Sequence, residues 1–281
     1  MDQTYKPTPT APVIRLLVLE TDKPHPDTYS ERGSFGRIIH EHFSAAGAAH
    51  HPPLGVETDQ VFVVSEQGGR VPKVSELDSF DGLLITGSVY DAHANNEWIL
   101  QLLDLLRTLW LMRPGFRFLG VCFGHQLLAR LLGGEVGPAP SRDWELGHCR
   151  ITLTSTGQRL FRTHEDFVHL HQMHQDQVVK APSAESAGGL VPADTEISVW
   201  GRSEHTPFQG LYIPNRLFTT QAHLAFDEDM VKRQIQIRVD SGSIRDLEHA
   251  DRAAETADLE HDGVEVAKAI LRLFVKDEDE F

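Results

Sequence analysis

The chain has 281 residues, 40% of them apolar and 24% charged, so it can bury a sizeable core. A formal net charge of −15 argues against a nucleic-acid partner and against an anionic membrane surface, both of which call for a basic face. Two cysteines, Cys122 and Cys149, are too few for a disulfide framework and lack metal-ligand spacing, no stretch approaches a membrane span, and Met1–Tyr5 has no basic export region; the expected setting is cytoplasmic.

In chain order, residues 1–12 read as a tail and Val13–Leu19 as the opening buried strand. From Ser30 to Ala46, Phe35, Ile38, Ile39 and Phe43 recur at helical spacing and predict a helix packed on the sheet. His50-His51-Pro52-Pro53 reads as a loop and Val61–Val64 as a second strand. Asp81–Ile85 reads as a third strand, ending in Thr86-Gly87-Ser88-Val89-Tyr90-Asp91. Ligands of open parallel sheets gather at such carboxyl ends, and Gly87 permits close backbone approach, so the N–H of Gly87 or Ser88 is a candidate oxyanion donor. Glu97–Met112 has the Leu/Ile/Trp stripe of a core-facing crossover helix.

Next comes the apolar run Phe116–Leu119, then Gly120-Val121-Cys122-Phe123-Gly124-His125-Gln126, then a Leu/Ala pattern ending in Gly133-Gly134. The sequence predicts strand, tight turn and short helix, with Cys122 on the elbow. Small residues on both sides let the backbone turn sharply and present a nucleophile over the end of a sheet. A helix N-terminus favours the thiolate, and the N–H of Phe123 is placed for an oxyanion. A lone cysteine is usually a small buried hydrophobe. The bracketing glycines and the preceding strand favour a nucleophile here.

Glu135–Thr220 shows short alternating runs, Cys149–Leu153, Phe167–Leu170, Ile197–Trp200, Gln209–Tyr212 and Leu217–Thr220, which predict an antiparallel annex. The His-rich run His164–Asp176 invites a metal site, with His169 and His171 on one strand face, but no recognised ligand spacing completes it. The last of these strands delivers His223 at its end, and Asp227 or Glu228 suits the first turn of a following helix. Glu228–Arg238 and Val264–Val275 read as amphipathic helices, Ser241–His261 as a charged, solvated segment, and 276–281 as an acidic tail. No phosphate-binding or dinucleotide-binding glycine motif is present.

Gly-x-Cys-x-Gly-His-Gln resembles the nucleophile elbow of class I glutamine amidotransferases, the Cys-His-Glu family that releases ammonia from glutamine; Asp91 and Trp98 are similar to a pattern of its stand-alone members. The resemblance implies a flavodoxin-like α/β sandwich with a mostly parallel central sheet and a small antiparallel annex, in a single domain over 1–281. It implies Cys122 as nucleophile, His223 as base, Gly87, Ser88 and Phe123 as oxyanion donors, and Gln126, His174 and Asp176 at the substrate. No metal or organic cofactor is called for, the substrate is a small molecule, and a separate ammonia-accepting synthase is the expected partner. The family's His-Pro-Glu is His223-Leu224-Ala225 here, so the third triad position is an alanine. Asp227 and Glu204 are the carboxylates available to orient His223 instead. Two alternatives follow: a diverged enzyme acting on a γ-glutamyl peptide or specialised metabolite, and a non-catalytic binding module retaining the fold, against which Cys122 and His223 both speak.

Overall fold

A computed structural model of the chain describes residues 4–5 and 12–275; the acidic tail and most of the N-terminal tail lie outside the described residues. The opening apolar run forms β2 (Val13–Glu20), after a two-residue β1 (Thr4–Tyr5). Leu16 and Val18 point to one side of the sheet and Leu17 and Leu19 to the other, and all four are buried. A strand covered on both faces needs such a continuous apolar run.

Gly33 and Ser34 break the helix expected over Ser30–Ala46. α1 (Pro26–Arg32) ends at Gly33, whose φ is 81°, and α2 (Phe35–Ala48) starts afresh with the Ser34 hydroxyl accepting the Arg37 N–H. The second strand, β3 (Gly55–Phe62), lies earlier than the Val61–Val64 run: next to the sheet edge it carries the consecutive polar residues Glu57–Gln60, which give no apolar signal. β4 (Gly82–Ile85), α3 (Glu97–Met112), β5 (Arg117–Val121) and α4 (Phe123–Leu131) follow as expected.

Beyond α4 come β6 (Glu135–Pro138), β7 (Glu145–Leu153), α5 (Ser155–Phe161), β8 (Phe167–His174), β9 (Asp176–Lys180), β10 (Ser198–Arg202), β11 (Gly210–Ile213) and β12 (Leu217–Thr220). The main sheet runs β1-β3-β2-β4-β5-β12-β11-β10-β7-β8, and β6 pairs with β9 in a separate antiparallel ribbon. β3, β2, β4, β5 and β12 are parallel. β11, β10, β7 and β8 continue the same sheet antiparallel, so most of the annex is an extension of the sheet and only the ribbon stands apart.

α3 and α4 cover one face of the sheet; α2, α5 and α8 (Gly263–Arg272) cover the other. A third apolar cluster joins α6 (Glu228–Asp240) and α7 (Leu247–Glu255) to Leu146 and Met173 at the antiparallel end. α7 lies inside the segment expected to be solvated: its charged face is outward, while Ala250 and Ala253 are buried against β7. Among the described residues no helix is long and apolar enough to cross a membrane.

Arg216, ahead of β12, is buried and caps the C-terminal end of α3. Its guanidinium donates to the carbonyls of Trp110, Arg113 and Phe116 and lies 4.5 Å from the Trp110 ring centroid. Burial lowers its pKa to about 10, which leaves it cationic at neutral pH. Arg216→Leu would leave three carbonyls without this donor and is expected to cost about 2–4 kcal/mol, read as a lower urea midpoint.

Candidate active site

Cys122 stands between β5 and α4 with φ 51° and ψ −104°, a conformation a side chain rarely adopts. Two glycines make the turn possible. A methyl group on Gly120 would run into the backbone of Gly124, and one on Gly124 would run into the carbonyl of Ile85 at the end of β4. The Gly-x-Cys-x-Gly spacing is therefore where helix, strand and neighbouring strand touch without side chains. Cys122 N–H donates to Thr220 O and Gly124 N–H to Thr86 O, tying the elbow to β12 on one side and the β4 loop on the other. Trp98, fully buried on α3, stacks on Phe123 at 5.5 Å between centroids.

The loop after β4 is pinned from beneath. The Thr21 hydroxyl contacts Thr86 O and donates to Gly87 O at 2.9 Å; Ser88 Oγ donates to Thr21 O at 2.7 Å. The Ser88 hydroxyl is thus structural, while among the described residues the N–H groups of Gly87 and Ser88 donate to no protein acceptor. A methyl group at Gly87 would stand 2.8 Å from His223 Cε1 and 3.4 Å from Cys122 Cβ, so thiol, imidazole and loop backbone meet at one point.

His223 is held by its N–H to His171 O at 2.9 Å and by its ring stacked on Phe226, 4.0 Å between centroids. It is 8% exposed, and its Nε2 has no hydrogen-bond partner. Neither expected carboxylate reaches it. Asp227 caps α6, accepting the Met230 N–H, and pairs with Arg32; Glu204 is exposed in the turn after β10. Both are drawn away because a helix N-terminus, an arginine and water each offer a carboxylate more than an apolar pocket does. Ala225 instead joins Phe35, Ile38, Met173 and Phe226 in that pocket beside Cys122 and His223.

Gln126 on α4 donates from its amide nitrogen to Asp176 O at 2.8 Å and to Gln221 Oε1 at 3.1 Å. Both ring nitrogens of His174 are taken up by protein groups, Asp176 O and Glu145. Gln126 and His174 therefore frame the turn that carries Asp176. The Asp176 carboxylate keeps one buried oxygen, Oδ2, without a hydrogen bond, 3.3 Å from His93 Nδ1. Among the described residues no group of three or more His, Cys, Asp or Glu side chains could hold a metal ion; His169 and His171 instead pack against His148 and His261.

Three participants carried no signal in the sequence: Asp22, Gln221 and Arg238. Asp22 accepts the Val89 N–H and so fixes the loop from the end of β2. Arg238, on α6 well past His223, borders the same space as Cys122, and its charge favours the thiolate. From Cys122 the site opens into a cleft of about 1360 Å³ walled by Tyr90, Trp144, Ile244 and Arg245 among others.

An α/β sheet with a cysteine elbow opposite a strand-end histidine defines a class of proteins, and comparison places the chain within it. A model of the glutamine amidotransferase class-I family matches residues 57–229. Over 209 residues the chain is 31% identical to a Saccharomyces cerevisiae protein named as a candidate glutamine amidotransferase, covering 73% of this chain and 76% of that one. Over 208 residues it is 28% identical to gamma-glutamyl peptidase 3 of Arabidopsis thaliana, covering 72% and 77%. The crystal structure of a glutamine amidotransferase from Thermotoga maritima superposes with a TM-score of 0.61 at 18% identity, covering 94% and 99%, which bears on the fold. The chain belongs to the class-I glutamine amidotransferase family.

Burial dominates the electrostatics. It pushes the Cys122 thiol up to about 11, although Arg238, the Phe123 N–H and Gln221 pull the other way. It pushes His223 down to about 3, helped by Arg238, His174 and His171. The resting pair is neutral thiol and neutral imidazole, not the thiolate that the helix N-terminus alone would favour. A neutral imidazole can still accept the thiol proton as sulfur attacks a bound carbonyl. In the ligand-free protein, alkylation of Cys122 by iodoacetamide is accordingly expected to be slow at pH 7 and to climb about tenfold per pH unit toward pH 10. A plateau already reached below pH 8, read by peptide mass spectrometry, would contradict this.

Proposed function

We propose that the chain hydrolyses the γ-amide bond of γ-glutamyl compounds through a γ-glutamyl thioester on Cys122, and that γ-glutamyl peptides are preferred over free glutamine. The cleft carries this choice. Its volume of about 1360 Å³ exceeds what a drug-sized ligand fills, whereas the group that leaves glutamine is only ammonia. Relatives named as gamma-glutamyl peptidases, at 28–30% identity, support it.

Cys122 Sγ attacks the γ-carbonyl carbon and its proton passes to His223. The tetrahedral oxyanion is received by the N–H groups of Phe123 and of Gly87 or Ser88. The carbon–nitrogen bond then breaks, and the leaving amine takes the proton from His223. Water, deprotonated by His223, attacks the thioester, and the proton returns to sulfur. At the other end of the substrate, Asp176 Oδ2, which accepts no hydrogen bond and has His93 Nδ1 at 3.3 Å, fits the α-ammonium group of the glutamyl moiety. A cysteine nucleophile tolerates the missing third carboxylate better than a serine does, because the thiol ionises more readily. Phe226 supplies by stacking part of the orientation that the carboxylate would have given.

Glutamine remains the second reading, since the same steps release ammonia to a separate synthase, and the family match supports it. The purified protein, presented separately with L-glutamine and with γ-glutamyl di- and tripeptides, is expected to release glutamate from the peptides with at least about tenfold higher kcat/KM. An acyl adduct should appear on Cys122, and Cys122→Ala should abolish turnover. Glutamate from glutamine alone would reverse the preference. No adduct with any of these compounds would reduce the chain to a binding module.

A further inference from the structure

The most heavily hydrogen-bonded ionisable group beside the cleft lies outside the reaction as described. Glu145 opens β7 directly across from His174 at the end of β8, in register, and both are buried, at 5% and 3% exposure. Glu145 Oε2 accepts from the Thr206 hydroxyl at 2.7 Å, from Gln209 Nε2 at 3.0 Å and from His174 Nε2 at 2.9 Å. Thr206 and Gln209 are fully buried, so the carboxylate is enclosed by donors. Burial alone would raise its pKa, but the hydrogen bonds from His174, Ser203 and Thr206 and the charge of His174 outweigh it and hold the carboxyl below the usual range.

His174 Nδ1 in turn faces the carbonyl oxygen of Asp176 at 2.9 Å. A carbonyl only accepts, and so does an ionised carboxylate. A neutral imidazole has one N–H and can satisfy one of the two contacts; only a ring protonated on both nitrogens satisfies both.

We propose that Glu145 is a positioning residue: it holds His174 as a doubly protonated ring, which clamps the Asp176 carbonyl and sets a fixed positive charge in the wall shared with His223. The wall is continuous, because His171, whose carbonyl receives the His223 N–H, lies on the same strand as His174. A cation there repels a proton from His223 and keeps that ring able to accept one. The clamp and Gln126 bond the same Asp176 carbonyl, so the turn that presents the Asp176 carboxylate is fixed from two sides.

Other charged or titratable groups face this assembly. His205 approaches Glu145 Oε2 at 3.9 Å from the turn after β10, and its ring lies 5.9 Å from that of His174. His93 and Asp91 act on Asp176 from the loop after β4. His125, buried on α4, faces His174 as well; Arg238 on α6 and His171 on β8 act on His223, and Cys122 borders it from the elbow.

Glu145→Gln separates charge from geometry. A glutamine amide can donate to His174 Nε2 while Nδ1–H still meets Asp176, so both His174 contacts persist and the ring becomes neutral, at the cost of the hydrogen bond that Gln209 Nε2 makes to the same oxygen. The ring is read by ¹⁵N–¹H correlation spectra of the full chain, with His174 assigned from its absence in His174→Gln. Two protonated nitrogens are expected at pH 7 in the parent, and one bare nitrogen in Glu145→Gln. The consequence for turnover, which rests on the thioester reading above, is that the acid limb of the kcat/KM profile moves to higher pH by about half a unit to one unit in Glu145→Gln. A role confined to stability would leave that limb in place. A bare ring nitrogen in the parent, or an acid limb that does not move, overturns the proposal. If the parent turns over no γ-glutamyl compound, the thioester reading fails, and the ring spectra still decide the state of His174.

Discussion

The backbone at Cys122 occupies a region of φ and ψ that costs of order 1–3 kcal/mol for a residue with a side chain. Such a conformation persists only where the surroundings over-determine it. Here β12 receives the Cys122 N–H, the carbonyl of Thr86 receives the Gly124 N–H, and Gly120 and Gly124 allow β5, α4 and β4 to approach within backbone contact. The order of strands around the elbow follows from this. β4 and β12 flank β5, so the loop after β4 and the histidine after β12 reach the cysteine from opposite sides. Removing either neighbour would leave both the turn and the meeting of side chains unsupported.

A second constraint is dryness. Cys122 and His223 lie among Phe35, Ile38, Met173 and Phe226, and burial favours the uncharged form of each partner. A carboxylate on His223 would stabilise the imidazolium and pull the pair toward separated charges. Alanine at 225 does the reverse, and positive charge from Arg238 strengthens the effect on the histidine while opposing burial at the thiol. The departure from the family's His-Pro-Glu therefore belongs to a consistent local environment of apolar surface, a stacked ring and the Arg238 cation nearby.

Much of this was legible in the residues. The elbow could be read because glycine at two fixed positions has a single economical explanation, and the strand-end histidine because it follows the Leu217–Thr220 strand in the expected order after the elbow. The strands with continuous apolar runs were clear for the same reason, each being covered on both faces. β3 was misplaced because Glu57, Thr58, Asp59 and Gln60 form an unbroken polar run through its middle and give no apolar signal. α7 was missed because its buried side is made of alanines, which carry little hydropathy, set among Asp, Glu and Arg. Asp22, Gln221, Glu145 and Arg238 were invisible for another reason. Each comes from a different part of the chain, and only tertiary packing brings them to one place. The orienting carboxylate was sought near His223 in sequence, where Asp227 proved to be a helix cap.

The wall of the cleft has a different character from its floor. The floor is the ends of β4, β5 and β12, locked by backbone contacts that tolerate no side chain. Much of the outer wall comes from the end of α6 through Arg252, including the exposed turn Ser241-Gly242-Ser243 and a helix whose buried side is only alanine. Floor and outer wall are thus built by segments that can vary independently. Exchanging residues 241–252 between relatives would redraw the outer wall of the cleft while leaving the elbow undisturbed, so a single scaffold can diversify in the shape it presents without refolding its centre.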